Sequence, residues 1–243
     1  MRTIAIINLK GGTAKTTTTV NLAAELRHRG KRVLCIDADP QHNLTDFLGA
    51  SADGTTITDL LAGRVCEADI AVQRIGAGFG IVPSDLSLCE IDIEAIQKGI
   101  SLRTVRDLCE AVADDFDVCL IDCPPSFTAA SIAALVAADE VIIPIKLDAF
   151  SLRGMANIMQ QVSNMRKIND SLTVAGILPT MWYKSDNIIE AEKMLREFGL
   201  PVLPHVRRTN KVDDMTFAQE PLVISSPKSA AGVDYRRVVA ALM

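Results

Sequence analysis

Short runs of β-branched and aliphatic residues recur along the chain, and between them the apolar positions fall at helical spacing. The runs Thr3–Asn8, Arg32–Asp37, Gly80–Pro83, Val118–Asp122, Glu140–Ile145 and Val174–Pro179 predict strands, with a weaker one at Pro201–Leu203. Helical patterns span Lys15–Arg29, Leu86–Gln97, Leu102–Ala113, Ala129–Ala137, Leu152–Ile168, Asn187–Phe198 and Ala230–Leu242. Several strand runs are almost wholly apolar rather than alternating, as burial beneath helices on both faces requires. Strand–helix alternation with short connections predicts an α/β fold, a doubly wound, mostly parallel sheet flanked by helices. No repeat, low-complexity tract or Pro/Ser linker divides the chain, so residues 1–243 are expected to form one domain. Ligands of such sheets sit beyond the carboxyl ends of the strands. The most distinctive residues of this chain fall there.

Composition narrows the class without naming it. A hydrophobic content of 49% suits a buried core, and no run reaches the ~18 apolar residues of a membrane span. The apolar stretch Ile4–Ile7 is too short for a signal-peptide core, so a cytoplasmic location is expected. Six cysteines (35, 66, 89, 109, 119, 123) are scattered through mostly apolar segments, and no C-x-x-C knuckle occurs. Buried thiols are expected, not a disulfide or metal framework. The net charge is −5, but residues 1–150 carry 13 Lys and Arg against 21 Asp and Glu, whereas residues 151–243 carry 12 against 9. A polyanion therefore has one plausible docking region, the C-terminal third.

The stretch "INLKGGTAKTTTTVN", residues 7–21, joins the first strand to the first helix. Its Lys-Thr pair suggests a phosphate loop, yet the common template places glycines six and one residues before the lysine. Leu9 and Ala14 stand there instead. The topology still aims backbone N–H groups and a helix N-terminus at one point, which is an anion site. Lys15 is expected to reach phosphates and the Thr16 hydroxyl to ligate Mg²⁺. With Gly11 and Gly12 supplying the tight turn, Ala14 is expected in an ordinary helix-approach conformation.

Two further strand ends carry acids. In "VLCIDADPQHNLT" (33–45), Asp37 and Asp39 lie at the end of an apolar strand, where paired carboxylates are costly unless they meet a cation or position water. In "DVCLIDCPPS" (117–126), four apolar residues run into Asp122, as on a strand whose terminal acid holds Mg²⁺.

"KGGTAKTT" matches the deviant Walker A pattern K-G-G-x-x-K-[ST]-[ST], and with the other motifs the chain resembles the ParA/Soj branch of the ParA–MinD ATPases, P-loop NTPases. The resemblance runs from Thr3 to about Val239. It implies an ATP- and Mg²⁺-dependent ATPase in which Lys10, Gly11, Gly12, Thr13, Ala14, Lys15, Thr16 and Thr17 hold the nucleotide. Thr16, Asp37 and Asp122 are implied at the metal. Asp39 is implied to orient the attacking water, and Lys10 to cross a dimer seam to the partner subunit's phosphates. Such a second cation adds charge stabilisation as an arginine finger does. Thr180 and Met181, in "AGILPTMWYKSDN", are base-pocket candidates.

The branch also implies an ATP-bound homodimer on non-specific DNA, a ParB-like centromere-binding partner, and a nucleoid-associated role in partitioning a plasmid, chromosome or mobile element. DNA candidates are Lys184, Arg207, Arg208, Lys211, Lys228, Arg236 and Arg237, although "LPHVRRTNKVDDM" departs from the commoner family wording. No helix-turn-helix precedes residue 3, so operator reading is not expected. A MinD-like membrane helix is not expected either. The terminal "AAGVDYRRVVAALM" lacks apolar bulk and reads as a docking helix. The alternatives are a nucleotide switch that positions a protein cargo without DNA, and an iron-protein type needing a cluster-bridging cysteine pair from each subunit.

Overall fold

The computed structural model describes residues 1–65 and 67–243, with the backbone alone for residues 68 and 149–153. The first half runs β1 (Arg2–Ile6), α1 (Lys15–His28), β2 (Val33–Asp37), α2 (Asn43–Phe47), α3 (Ile57–Leu61), β3 (Gln73–Gly76) and β4 (Phe79–Val82). Then follow α4 (Ile91–Lys98), α5 (Thr104–Ala111), β5 (Val118–Asp122), α6 (Ala129–Ala137), β6 (Glu140–Lys146) and α7 (Ala149–Met165). The chain ends with β7 (Thr173–Thr180), α8 (Asp186–Glu197), α9 (Lys211–Ala218), α10 (Leu222–Ser225) and α11 (Ala230–Leu242).

The strands form one seven-stranded sheet in the order β3-β4-β2-β5-β1-β6-β7, and only the β3–β4 pair is antiparallel. Because side chains alternate across a strand, each strand feeds two cores. Ala5 and Ile7 join α3, α5, α6 and α7 on one face, while Ile4 and Ile6 join α1, α2, α10 and α11 on the other. That two-sided burial explains the continuous apolar runs in the sequence. As expected, α11 docks, through the buried Ala231, Tyr235, Val238 and Val239.

Several boundaries differ from the sequence expectation, each for a local reason. Leu86–Gln97 is not one helix: residues 86–90 form a 3-10 turn started by the Asp85 carboxylate, and α4 follows. Pro201–Leu203 is reduced to a bridge between Val202 and Ile177. The antiparallel β3 escaped notice because its QRIG sequence is mostly solvated and has no apolar period. The short α2, α3, α9 and α10 span under three turns each, too short for periodicity to show. Cys35, Cys109, Cys119 and Cys123 are buried free thiols, but Cys89 is exposed, correcting the expectation there; Cys66 lies outside the described residues.

A buried asparagine ties the connection before β7 to the carboxyl end of α6. Asn169 Nδ2 donates to the carbonyls of Leu135, Val136 and Ala138 at 2.9, 3.3 and 2.7 Å, closing the carboxyl end of α6 beside β7. Orphaned buried carbonyls carry a desolvation penalty of ~1–3 kcal/mol each. Asn169→Leu should therefore lower the unfolding free energy by about 2–3 kcal/mol, read by chemical denaturation. A loss below about 0.5 kcal/mol contradicts this capping role.

Candidate functional site

The turn between β1 and α1 is anchored from both sides. Asn8 Nδ2 donates to the Pro144 carbonyl at 2.6 Å while its Oδ1 accepts the Lys10 N–H at 2.9 Å. Across the turn, Thr180 Oγ1 donates to the Thr13 carbonyl at 3.1 Å. Gly12 has φ +68°, as its identity allows, but Ala14 also lies in the left-handed region, with φ 67° and ψ 35°. This corrects the expectation for Ala14. The position that the common template gives to glycine needs glycine geometry, and the alanine Cβ there costs ~1–2 kcal/mol. From Ala14 the chain enters α1, whose leading N–H groups have no intrahelical acceptors and whose first turn has no acidic residue. The result is an anion cradle.

Beneath the cradle lie the strand-end acids. Asp37 and Asp122 are register partners at the ends of β2 and β5. Thr16 Oγ1 donates to Asp122 Oδ2 at 2.6 Å, and Thr19 Oγ1 to Asp122 Oδ1 at 3.3 Å. Thr19 was not singled out from the sequence, though it lies one helical turn beyond Thr16, on the same face. Asp37 accepts the Thr45 N–H and hydroxyl, both at 2.8 Å, and the Asp39 N–H at 3.1 Å. Asp39 in turn accepts the Gln41 N–H at 3.0 Å. Asp37 thus ties β2 to α2, and Asp39 shapes the connecting turn.

Electrostatics sharpen the picture. Burial, then the neighbouring Asp37 charge, pushes the Asp122 carboxyl up to about 8; burial pushes Asp37 up to about 6 against the pull of its Thr45 bonds. Lys15 is buried with Nζ 3.5 Å from the Lys10 carbonyl. Desolvation lowers its pKa, and Asp122 and Asp39 pull it back upward. A floor of buried acids beside one partly desolvated ammonium is short of positive charge, so it fits a divalent cation. Thr16 and Asp122 could hold such an ion, with Asp37 behind them. Among the described residues no three His, Cys, Asp or Glu side chains converge into a cage. An ion here would take its other ligands from water and phosphate oxygens, the habit of Mg²⁺.

A cavity of about 210 Å³ opens beside the cradle. Ala14, Thr17, Thr180, Met181, Arg208 and Tyr235 are among its walls, so the structure brings both base-pocket candidates against the loop. Lys10 reaches sideways: its Nζ contacts Asp148 Oδ2 at 2.8 Å, just beyond β6. The basic candidates do not form one open patch. Arg207 is turned inward onto the buried Asp234, with Nε–Oδ2 at 2.7 Å and Nη2–Oδ1 at 2.8 Å. Arg237 lies 3.6 Å from the same carboxylate, Lys211 pairs with Asp214 at 2.8 Å, and Arg236 donates to the Pro227 carbonyl. Lys184, Arg208 and Lys228 are exposed.

A family model described as an AAA domain matches residues 1–174. Over 246 residues the chain is 33% identical to the chromosome partitioning protein ParA of Caulobacter vibrioides, covering 98% of this chain and 92% of that protein. The chain belongs to the ParA–MinD family of P-loop ATPases. A second ParA–MinD relative, the sporulation initiation inhibitor protein Soj of Bacillus subtilis, is 31% identical, covering 96% of this chain and 94% of that protein. Among solved structures, cobyrinic acid a,c-diamide synthase from Mycobacterium smegmatis with bound ATP analogue and magnesium superposes with a TM-score of 0.85 at 30% identity, covering 100% and 94% of the two chains. Among the described residues of this ParA–MinD member, no helix is long and apolar enough to cross a membrane.

Two measurements check this site without nucleotide. Because Asp122 and Asp37 have folded-state pKa values raised above the usual carboxylate range, their contribution to stability is fully present near pH 4 and is lost as pH rises through about 6 and 8. Thermal melts of the nucleotide-free protein should therefore fall from pH 5 to pH 8, and Asp122→Asn should flatten most of that fall. An unchanged slope in the variant contradicts the assignment. Ala14→Gly should stabilise by up to about 1 kcal/mol, since relief of the left-handed Cβ outweighs the added unfolded-chain entropy. A net loss of stability contradicts the strain at Ala14.

Proposed function

We propose that this chain, acting as a single P-loop unit over residues 1–243, is a DNA-partitioning ATPase. It binds ATP and Mg²⁺ in the cradle, pairs face to face with a second copy, and binds non-specific DNA in that state. Hydrolysis follows when a ParB-like centromere-binding partner stimulates it, moving a plasmid, chromosome or mobile element over the nucleoid. The observation that carries the reading is the Thr16–Asp122 pair at 2.6 Å beneath a loop that bears both Lys10 and Lys15. Full-length similarity to a chromosome partitioning protein supports it.

In this reading Lys15 and the N–H groups of the cradle hold the β- and γ-phosphates. Mg²⁺ held there would supply neutralisation of the phosphate charge. Thr16 and Asp122 fix the cation's position, and Asp39, held by the turn to Gln41, orients the attacking water. Adenine occupies the cavity walled by Thr180 and Met181. Lys10 exchanges its Asp148 contact for the phosphates of the other subunit, so dimerisation and turnover share one residue.

The second reading is a nucleotide switch that positions a protein cargo without DNA. What favours it is the inward engagement of Arg207 and the pairing of Lys211, which leaves few basic candidates open. An iron-protein role would need two accessible cysteines at the dimer seam. Among the described residues only Cys89 is exposed.

Lys15→Ala should abolish nucleotide binding. Lys10→Ala should keep binding within about threefold while eliminating ATP-dependent dimerisation and turnover, because only the cross-subunit contact is lost. Nucleotide titration and light scattering with ATP and Mg²⁺ read the two effects. Equal loss of nucleotide binding in both variants contradicts the role given to Lys10.

A further inference from the structure

The chain's tightest run of cations is not in the C-terminal third. It is "ELRHRGKR", residues 25–32, at the far end of α1 from the cradle. The 14 residues of α1 put this end ~20 Å from the phosphate loop. The helix stops in a Schellman turn: Gly30 has φ +79°, its N–H donates to the Arg27 carbonyl at 2.8 Å, and the Lys31 N–H donates to the Leu26 carbonyl at 3.0 Å. This turn folds Lys31 and Arg32 back beside Arg27 and His28. The four side chains line an open cleft of about 560 Å³ whose other walls are Ala24, Gly30, Ala77, Gly78 and Ile224, with no carboxylate among them.

The helix end accounts for part of this charge, since cations in a last turn offset the dipole. It does not account for Lys31, which lies beyond the helix. Nor are the cations equally engaged. Arg32 is held in a bidentate pair with Asp117, Nη2 to Oδ1 at 2.8 Å and Nε to Oδ2 at 3.3 Å, and Arg29 by the buried Glu25 at 2.8 Å. Arg27 stacks its guanidinium 4.4 Å over the Phe79 ring, a contact that leaves its N–H groups available to an anion. Lys31 makes no ion pair among the described residues, although its charge helps to lower the pKa of the nearby Asp117 carboxyl.

Beside the cleft, the end of α1 touches the C-terminal segment. Arg29 Nη2 donates to the Arg236 carbonyl at 3.1 Å, and Ile224 of α10 forms one wall of the cleft. Arg236 in turn donates to the Pro227 carbonyl, next in sequence to the exposed Lys228. Two cationic segments nearly 200 residues apart in sequence thus meet along one seam.

We propose that this seam, with Arg27 and Lys31 at its centre and Lys228 on its flank, binds the phosphate backbone of double-stranded DNA. The inference rests on the partition reading and places its DNA contact on the surface remote from the nucleotide. An open cleft with spaced cations suits a polymer backbone. Membrane lipid is disfavoured because, among the described residues lining it, Ile224 is the only large apolar side chain, too little for insertion. In a dimer the seam occurs twice, and non-specific affinity grows with each phosphate neutralised.

The test is binding of a random-sequence duplex to the ATP- and Mg²⁺-loaded protein, read as the slope of log affinity against log salt. Arg27→Gln with Lys31→Gln should weaken binding at least ~10-fold and reduce the slope by about two per protomer, with basal ATP turnover unchanged. Lys31→Gln alone disturbs no described ion pair and should reduce the slope by about one, so the test survives misfolding of the double variant. Wild-type binding with an unchanged slope in both variants overturns this seam while leaving the partition reading intact. Absence of duplex binding by the wild type overturns both. Binding to phosphatidylglycerol vesicles in place of duplex overturns the DNA assignment in favour of a membrane.

Discussion

The structure depends on placing two carboxylates where neither is comfortable alone. Asp37 and Asp122 end adjacent parallel strands in register, both fully buried; burial raises both pKa values, and the Asp37 charge raises that of Asp122 further. Burying charge of one sign is unfavourable unless a countercharge arrives. The phosphate loop answers part of that demand through Lys15 and the hydroxyls of Thr16 and Thr19. The remainder is left for a cation brought with a nucleotide. Folding thus builds a site whose charge deficit is relieved by binding, and the Thr45–Asp37 contact extends that deficit to α2.

The loop shows the same trade. Ala14 occupies a left-handed position that glycine would fill without strain, and the cost is borne because Asn8 and Thr180 hold the turn at both ends. Sequence alone could identify the loop but not this geometry. The expectation for Ala14 was drawn from the neighbouring glycines, and a backbone angle leaves no compositional trace.

What was legible follows one rule: periodic, long or terminal features announced themselves. Six of the seven strands and the acids at their ends were visible because both faces are apolar up to the first charge. The hidden parts depend on contacts distant in sequence. Nothing near Arg207 discloses that Asp234 will turn it inward, and nothing near Ile224 discloses that it will face Lys31. Charge counted by segment therefore pointed to the C-terminal third. Charge mapped on the fold joins the end of α1 to it.

The central claim is that the carboxylate floor exists to receive a cation together with a nucleotide. Trp182, the single tryptophan, stacks on His205 at 4.1 Å next to the cavity-lining Met181, so its emission can follow ATP binding. The decisive measurement is ATP affinity with and without Mg²⁺ in the wild type and in Asp122→Asn. The account predicts that Mg²⁺ tightens ATP at least ~10-fold in the wild type and has little effect in the variant. Equal Mg²⁺ dependence in both proteins, or none in the wild type, would contradict it.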